Sequence, residues 1–523
     1  LSWAEGMAKA FTLQQRRNTV VAVIGDGALT GGMAWEALNN IAAQPELPLV
    51  IVVNDNGRSY TPTVGGIAQH LDALRTSRRY EDALEVIKRN VTRAPLVGKA
   101  TYDLLHGLKT GLKDVLAPQG MFSDLGLKYV GPIDGHDLDA VETALRRAKE
   151  FGGPVILHCL TRKGKGFKAA EEHEEDRFHA VGKIDEYTGQ PLSDSVQATW
   201  TDAFGAEMLR LGEERSDVVA ITAAMLHPTG LARFAAAYPD RVFDVGIAEQ
   251  HAVTSAAGMA TAGLHPVFAV YSTFLNRAFD QTLMDVALHE LGVTFVLDRA
   301  GITGSDGASH NGMWDVSLMG IVPGLRLAAP RDQQRLQDAL RAAVDVSDAP
   351  TVIRYSKEKL PDQIEACGHH DGLDELMVHP RQGDHAPEVL VVGVGQFVGL
   401  ALDVAQRLVD QGIGVRVVDP LWALPINAAL VDLAGQHELV VTLEDSLVIG
   451  GIGDHMAHAM AQARCSTPIL KFGIPDEFLA HASRGQVLER LGLTPQTIAR
   501  HVVEHHAHQQ QATSSSRTAS AQS

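Results

Sequence analysis

Two short runs of apolar, β-branched residues near the start of the chain each end in a polar triplet, and this pattern constrains the fold most. Residues 18–24 (NTVVAVI) lead into Gly25-Asp26-Gly27, and residues 49–53 (LVIVV) lead into Asn54-Asp55-Asn56. Apolar residues at helical spacing lie between the two runs: Leu29, Met33, Ala37 and Ile41. We therefore predict a βαβ unit of two buried parallel strands and a crossover helix.

The polar triplets fall at the carboxyl ends of the two predicted strands, where open α/β sheets bind ligands. Asp26 and Asn56 offer a carboxylate and an amide oxygen, which are the ligand types that Mg²⁺ prefers. Gly27 allows the backbone to approach closely, and the helix that follows directs its N-terminus to the same place. This combination suits a metal-bound diphosphate. The alternative is an ordinary turn between strand and helix that contains an unrelated Asp.

The composition is that of a globular protein with several domains. The chain has 523 residues, of which 45% are hydrophobic, and a formal net charge of −18. It is too long for a single core, and its charge argues against nucleic acid or an anionic membrane surface as a partner. No apolar run reaches the length of a membrane span. Because the three cysteines (Cys159, Cys367 and Cys465) are scattered, we expect a reducing, cytoplasmic location.

Buried strands alternate with amphipathic helices in three successive blocks, which predicts an α/β protein of three consecutive domains with mostly parallel sheets. Residues 69–116 of the first block mix acidic and basic side chains and predict a solvated helical insertion. The predicted boundaries are 1–182 for the first domain, 183–197 for a polar connector, 198–366 for the second domain, 367–387 for a linker, 388–508 for the third domain and 509–523 for a disordered tail.

Four further segments, together with the two triplets, resemble one family. The triplets resemble the diphosphate motif of thiamine diphosphate enzymes. The other segments resemble, in the same order, the signatures of the 1-deoxy-D-xylulose-5-phosphate synthase family: residues 129–137 (YVGPIDGHD), 246–253 (GIAEQHAV), 271–277 (YSTFLNR) and 298–312 (DRAGITGSDGASHNG). The resemblance runs from Leu1 to about His501. It implies a transketolase-like fold whose first domain binds the diphosphate of the cofactor and whose second domain binds the aminopyrimidine.

The resemblance also implies an activity. Pyruvate would condense with glyceraldehyde 3-phosphate, with loss of CO₂, to give 1-deoxy-D-xylulose 5-phosphate, a precursor for isoprenoids, thiamine and pyridoxal. The implied cofactors are thiamine diphosphate, which would carry the chemistry, and Mg²⁺. A homodimer is implied as well. Two alternatives stay open: a transketolase that moves a two-carbon ketol unit, and a catalytically inactive scaffold.

The scaffold alternative rests on the start of the chain. The N-terminal part of the family carries Gly-His-Gln and Gly-His-Ser-Ser segments, whose His and Ser residues approach the diphosphate and the substrate, and neither segment occurs here. Trp3, Met7 and Phe11 recur every four residues and predict an amphipathic helix from a larger body. We therefore expect the first domain to lack an N-terminal layer, to expose apolar surface near Leu1, and to leave this chain essentially inactive.

The family pattern assigns cofactor ligands residue by residue. The residues implied for the diphosphate end are Gly25, Asp26, Gly27, Ala28, Asn56 and Lys163, and those implied for the metal are Asp26, Asn56 and Arg58. Lys163 lies in a charged, Gly-rich run, residues 161–166 (TRKGKG), so a surface turn is its alternative interpretation.

Glu249 matches the catalytic glutamate of the family, which hydrogen-bonds a ring nitrogen of the aminopyrimidine and favours the tautomer that removes the reactive proton. Such a carboxyl belongs in a mostly apolar pocket, so we expect its pKa to be raised. The alternative is a carboxylate that only complements a helix dipole. Phe274 resembles the aromatic residue that stacks on the aminopyrimidine, with a core Phe as the alternative.

The residues implied for substrate binding are Tyr271, Arg277, Asp306, His310 and Lys357. Arg277 matches the arginine that grips the phosphate of glyceraldehyde 3-phosphate, and an ion pair with Asp280 is its plainer interpretation. Asp306 and His310, in a Gly-rich loop, would hold the acceptor aldehyde and the donor-derived carbons as catalytic residues. Lys357 stands where many family members have Arg, so a point charge would replace a bidentate fork.

Two other features look functional, but we predict no ligand site at either of them: a glycine-rich turn and a group of C-terminal histidines. Gly393, Gly395 and Gly399 follow a predicted strand as in a dinucleotide fingerprint, but the last glycine is one residue late, so we predict close helix–strand packing. For His136 we predict a structural hydrogen bond. Four histidines lie in or beside the predicted tail, where we expect no metal site: His501, His505, His506 and His508.

Overall fold

The structure, a computed structural model, describes residues 1–76, 122, 125–174, 176–179, 181–192, 197–380 and 387–520. Most of the predicted insertion 69–116 lies outside these residues. The chain divides into two compact units, Leu1–Asp194 with Asp244–Ala248, and Ser195–Phe243 with Glu249–Ser523. The described residues form three sheets that correspond to the three predicted blocks, so the predicted α/β class with mostly parallel sheets is confirmed.

The first unit contains a four-stranded parallel sheet in the order β1-β2-β4-β3. Its strands are β1 (Val20–Gly25), β2 (Leu49–Asp55), β3 (Lys128–Asp134) and β4 (Val155–Leu160). The predicted pairing of the first two runs is confirmed. The sequence analysis does not predict β3, because Gly131 and Pro132 resemble a turn; the pairing of β3 with β4 is irregular at these two residues, as expected where Pro has no N–H for the ladder.

The predicted crossover helix is interrupted at Gly31. Because the helical spacing does not continue through this break, Met33 is 62% exposed, whereas Ala37 and Ile41 are buried as predicted. The helices described in this unit are Ser2–Leu13, Asp26–Leu29, Gly32–Ala42, Gly66–Thr76, Leu138–Phe151 and Lys168–Glu172.

The first helix has the predicted position but buries a different face. Ala4 and Ala8 lie in the core, whereas Trp3 and Met7, two residues of the predicted apolar stripe, are exposed and Phe11 packs partly against the core. Val21 and Val23 are also exposed, on β1 at an edge of the described sheet. Apolar surface is therefore exposed near the start of the chain, as expected.

The larger sheet of the second unit has the order β15-β9-β10-β8-β7-β5-β6. Its first six strands along the chain are β5 (Val218–Thr222), β6 (Val242–Asp244), β7 (His265–Tyr271), β8 (Thr294–Asp298), β9 (Arg326–Ala328) and β10 (Thr351–Arg354). Only β9 is not predicted, because it is three residues long and begins with an exposed arginine.

The helical segments around this sheet begin and end as follows: α-helices Trp200–Glu214, Ala232–Ala237, Glu249–Thr261, Ser272–Leu275, Phe279–Gln281, Asp315–Met319 and Gln333–Val344, 3₁₀ turns Pro239–Arg241 and Asn276–Ala278, and a π-helical turn Thr282–Ala287. Trp200 and Phe204, on the first of these helices, are both buried in the core. A Thr199–Asp202 capping box defines the start of this helix.

The smaller sheet has the order β11-β12-β14-β13-β16-β17. The remaining strands of the chain are β11 (Gly368–His370), β12 (Leu373–His379), β13 (Val389–Gly393), β14 (Val415–Asp419), β15 (Trp422–Leu424), β16 (Leu439–Leu447) and β17 (Ile469–Ile474). The predicted linker 367–387 is wrong in its first half: β11 and β12 form a hairpin there. Asp371-Gly372, both at positive φ, is the two-residue turn that favours such a hairpin.

The helical segments beside this sheet are the 3₁₀ turn Gly395–Phe397 and the helices Val398–Val409, Ala428–Ala434, Ile452–Gln462, Arg484–Arg490 and Pro495–Ser520. A Cβ on Gly393 would lie 2.8 Å from the Cβ of Ala401, which confirms the predicted close helix–strand packing. The prediction of a disordered tail from residue 509 is wrong as far as Ser520, because each added helical residue gains a hydrogen bond once the packed part has formed. No helix in the described part of the chain combines the length and apolar character that a membrane span requires.

Candidate cofactor-binding and active site

Asp26 occupies the carboxyl end of β1 and begins the short helix Asp26–Leu29. Its side chain is only 1% exposed. The main-chain N–H of Asn56 donates to Oδ1 (3.2 Å), and the hydroxyl of Thr63 donates to Oδ2 (2.5 Å). The predicted pair Asp26 and Asn56 is therefore brought together, because β1 and β2 are neighbouring parallel strands that end at the same edge of the sheet.

The structure leaves little room for a larger side chain at Gly27, the residue after Asp26. A Cβ on Gly27 would lie 3.3 Å from the Cβ of Ser59. Gly25 caps the helix in an extended conformation, and Ala28 is exposed in its first turn, where main-chain N–H groups have no intrahelical acceptor. A buried carboxylate, an amide oxygen and a helix N-terminus are the groups that a Mg²⁺-bound diphosphate requires, so these residues fit that group.

Lys163 lies in the same unit, where its ammonium contacts a main-chain carbonyl and an imidazole. Nζ donates to the carbonyl of Ser59 (2.6 Å) and lies 2.6 Å from Nδ1 of His179. Burial and, to a smaller extent, the positive charge of Arg58 lower the pKa of Lys163 to about 8, although the carboxylates of Asp176 and Asp26 oppose the shift. A lysine held in this way is stabilised in its charged form by an added anion.

Arg58 is the least suitable member of the predicted metal set. Its guanidinium donates to the carbonyls of Tyr60 (3.4 Å) and Glu174 (3.3 Å), and a guanidinium has no lone pair for a cation. Its main-chain N–H donates to Oδ1 of Asn56 (3.1 Å). Only the main-chain carbonyl of Arg58 could therefore serve as a metal ligand.

A buried hydrogen-bonded chain lies beside these residues and is not predicted by the sequence analysis. Nε2 of His158 lies 2.8 Å from Oδ2 of Asp55, and Nδ1 lies 2.7 Å from the hydroxyl of Tyr129. The only sequence signal is the position of Asp55 next to Asn56. His136 has the structural role that we predict: Nε2 accepts from the main-chain N–H of Arg162 (2.9 Å), one residue before Lys163.

In the second unit, Glu249 is the first residue of the helix Glu249–Thr261 and is 3% exposed. Burial raises the pKa of Glu249, and the nearby Arg277 opposes this shift, so the raised pKa that we predict is confirmed. Oε2 lies 2.5 Å from Nη1 of Arg277. Oε2 is therefore occupied by this ion pair, although the geometry is outside that of a regular hydrogen bond. A buried carboxyl with a raised pKa fits a ring nitrogen that donates or shares a proton.

Arg277 pairs with Glu249 and, within the described residues, forms no ion pair with Asp280. Its side chain remains 41% exposed, so it can still be reached by a further anion. The alternative interpretation, an ion pair between Arg277 and Asp280, is therefore wrong. The turn Asn276–Ala278 directs the arginine side chain to the start of the helix Glu249–Thr261 instead.

Three predicted aromatic and imidazole side chains form one stack. The rings of Tyr271 and Phe274 lie 5.7 Å apart and nearly parallel, and the ring of Phe274 meets that of His310 edge-on at 5.6 Å. Phe274 is half-buried, which disfavours the core alternative. Nδ1 of His310 lies 2.9 Å from the hydroxyl of Ser309.

Asp306 and Lys357 are also brought together, by an ion pair with Nζ–O distances of 2.7 and 2.8 Å. The sequence analysis does not single out Arg299, which follows β8 at a positive φ of 59°. Its guanidinium lies 4.0 Å from the ring centre of Tyr271 and 2.7 Å from Oδ1 of Asp298. Its place in the segment 298–312 is the signal that could have identified it.

Three family models match consecutive regions of the chain. The model described as 1-deoxy-D-xylulose-5-phosphate synthase matches residues 1–161. The transketolase pyrimidine-binding domain matches residues 196–363, and the transketolase C-terminal domain matches residues 381–498.

Individual relatives and solved structures agree with these matches. The proteins called 1-deoxy-D-xylulose-5-phosphate synthase 2 in Streptomyces avermitilis and Streptomyces coelicolor are 60% and 61% identical over 502 residues, 96% of this chain and 78% of each relative. A split-gene transketolase, described as an inactive β4 tetramer, has a TM-score of 0.51 at 28% identity and covers 58% of this chain and 96% of its own. A transketolase from Campylobacter jejuni, with a TM-score of 0.51 at 16% identity over 96% of this chain and 80% of its own, shows the fold alone. The chain therefore belongs to the 1-deoxy-D-xylulose-5-phosphate synthase family, whose members are thiamine diphosphate-dependent transferases with a transketolase-like fold.

Proposed function

We propose that this chain condenses pyruvate with glyceraldehyde 3-phosphate, with release of CO₂, to form 1-deoxy-D-xylulose 5-phosphate. Family membership at 60% identity over 96% of the chain is the observation that carries the proposal. The buried carboxyl of Glu249, whose pKa is raised, also supports the proposal, because the reaction requires an acid–base group of this kind. The same identity favours the synthase over a transketolase, since the transketolase resemblance at full coverage has only 16% identity.

Asp26, Asn56 and Lys163 bind the diphosphate end of the cofactor in this proposal. Asp26 and Asn56, with the main-chain carbonyl of Arg58, hold Mg²⁺, and Lys163 places a positive charge on the diphosphate. The low pKa of Lys163 in the free protein supports this role. Burial and the positive charge of Arg58 disfavour the charged form of Lys163, and a bound diphosphate would stabilise it. Thiamine diphosphate, when bound, supplies a carbon nucleophile and an electron sink.

Glu249 holds a proton in a hydrogen bond to a ring nitrogen of the aminopyrimidine. Its exposure of 3% keeps water away from that bond, and burial raises its pKa, which favours the form that holds the proton. Phe274, which presents a half-buried ring beside His310, stacks on the aminopyrimidine.

Arg277 and Lys357 provide positive charge for the phosphate of glyceraldehyde 3-phosphate. Each faces a carboxylate in the structure, Glu249 or Asp306, so each charge is held in place before substrate arrives. The polar side chains of Asp306 and His310 hydrogen-bond the acceptor aldehyde and the donor-derived carbons. We further propose a homodimer in the cytoplasm, consistent with three unpaired cysteines among the described residues.

A cofactor-dependence experiment tests the proposal. CO₂ release from pyruvate is measured with and without glyceraldehyde 3-phosphate, thiamine diphosphate and Mg²⁺. The proposal predicts release that saturates with thiamine diphosphate and is stimulated by the aldehyde. Absence of release at any cofactor concentration would instead support the inactive scaffold.

A further inference from the structure

Three side chains of metal-ligand type lie together in the second unit, away from the residues discussed above. Glu388 precedes β13, Glu438 precedes β16, and His506 belongs to the helix Pro495–Ser520. The two glutamates are fixed beside each other because β13 and β16 are neighbouring parallel strands. The main-chain N–H of Glu438 donates to the carbonyl of Glu388 (2.8 Å).

The distances within this cluster fit one small cation. Nε2 of His506 lies 3.3 Å from Oε2 of Glu438 and 3.9 Å from Oε1 of Glu388. The three ligand atoms all lie within 4.8 Å of one another. Ligands about 2.0–2.2 Å from a tetrahedral Zn²⁺ are separated by roughly 3.3–3.6 Å, so little movement is needed to admit the ion.

Burial makes an unpaired imidazole at this place costly. His506 and Glu388 are each 5% exposed. Nε2 of His506 has no hydrogen-bond partner within the described residues, although it points to two carboxylates. A buried polar atom without a partner calls for an explanation, and an unrecorded ion is one of the standard explanations. Glu438, whose side chain is 58% exposed, leaves a path from solvent.

His506 lies at the end of the buried apolar face of its helix. Ile498 and Val502 are fully buried, and His506 is the next residue on the same face at a spacing of four. An apolar side chain would continue that face at the lowest cost, and a histidine is present instead. The side chain therefore meets the two glutamates where the apolar contact of the helix ends.

We propose that Glu388, Glu438 and His506 bind a divalent transition-metal ion of the Zn²⁺ type, with water as a fourth ligand. One imidazole and two carboxylates suit Zn²⁺ better than Mg²⁺, which prefers oxygen ligands alone. The ion ties the C-terminal helix to the N-terminal ends of β13 and β16. This differs from our sequence-based expectation that no metal site involves the C-terminal histidines.

The test uses the full chain, stripped with a chelator and kept in excess Mg²⁺ so that hard oxygen sites are filled. Zn²⁺ binding is measured by calorimetry, and Co²⁺ is added in parallel to read the visible spectrum of a tetrahedral site. We expect about one equivalent of Zn²⁺ to bind tightly, an intense Co²⁺ spectrum, and a Zn²⁺-dependent rise in the thermal midpoint of the stripped chain.

His506→Ala should abolish the tight binding of one equivalent of Zn²⁺ and the Co²⁺ spectrum. Glu438→Gln should lower the affinity for Zn²⁺ at least about tenfold. Because Glu438 is exposed, its variant folds even where the His506 variant fails to. His508→Ala, an exposed histidine on the same helix, is the matched control and should behave as the parent chain. Equal Zn²⁺ affinity in Glu438→Gln, or a parent chain that binds no tight equivalent, would overturn the proposal.

Discussion

Replacement of Glu249 by Gln separates the chemical role of this residue from its structural role. Glutamine keeps the length of the side chain and one acceptor oxygen, but it removes the charge and the titratable proton. The side chain is 3% exposed, so water cannot replace the missing group. The only ion pair of Glu249 in the described residues is with Arg277.

We expect Glu249→Gln to change the reaction rate much more than the stability of the chain. Burial disfavours the ionised form of Glu249 and the pairing with Arg277 favours it, so the two effects that the substitution removes oppose each other. Since Arg277 is 41% exposed, water solvates its charge in the variant. We expect the free energy of unfolding to change by about 1 kcal/mol or less. Loss of a positioned acid–base group lowers the rate by roughly 10²–10⁴, or about 3–5 kcal/mol in the barrier.

The assay follows CO₂ release from pyruvate with glyceraldehyde 3-phosphate, beside a titration of thiamine diphosphate and a denaturant unfolding curve. The chain is extended N-terminally with the segments of a relative if the chain as given shows no turnover. Glu213→Gln, the same change at an exposed position of the same unit, is the control and should leave the rate unaltered. Near-normal turnover in Glu249→Gln, with the cofactor bound, would falsify the acid–base role.

Three further predictions concern binding. Asp26→Ala should abolish Mg²⁺-dependent binding of thiamine diphosphate in a calorimetric titration, and Asn56→Ala should weaken it less; unchanged affinity in Asp26→Ala would remove it as the anchor. Because the pKa of Lys163 in the free protein is about 8, affinity for thiamine diphosphate should be constant below that pH and fall by up to about tenfold per pH unit above it. In Lys163→Met the affinity should no longer fall with pH in this range. If the fall persists in the variant, another group is responsible for it. Arg277→Ala should weaken the binding of glyceraldehyde 3-phosphate by about 2–4 kcal/mol while the binding of pyruvate changes little. Equal loss of affinity for both substrates would indicate that Arg277 has a structural role.

Local sequence pattern is sufficient to predict the strands whose residues are continuously apolar. The runs before Gly25 and Asn54 are such strands, and both lie where they are predicted. The same logic fails at β3, because Gly131 and Pro132 interrupt an otherwise regular strand, and at β11 and β12, whose polar residues resemble a linker. In these elements tertiary pairing outweighs local propensity.

The family resemblance supplies the candidate site as a set of residues, but it does not supply the contacts between them. The resemblance names Glu249, Arg277, Asp306 and Lys357, yet it does not indicate that they form two ion pairs. The Asp306–Lys357 pair joins residues 51 positions apart, and such pairing depends on strand order and loop path. Burial raises the pKa of a carboxyl, so a raised pKa for Glu249 was a reasonable expectation, but only the structure shows that burial outweighs the opposing charge of Arg277.

The most direct test of the central claim is the fate of labelled donor carbons. The chain is incubated with [2,3-¹³C₂]pyruvate, unlabelled glyceraldehyde 3-phosphate, an unlabelled ketose phosphate, thiamine diphosphate and Mg²⁺, and the products are examined by ¹³C NMR. The account predicts a five-carbon product with adjacent labels in a methyl and a keto carbon. Unlabelled product formed from a ketose phosphate donor, with pyruvate left unchanged, would contradict it and indicate transfer of a two-carbon ketol unit.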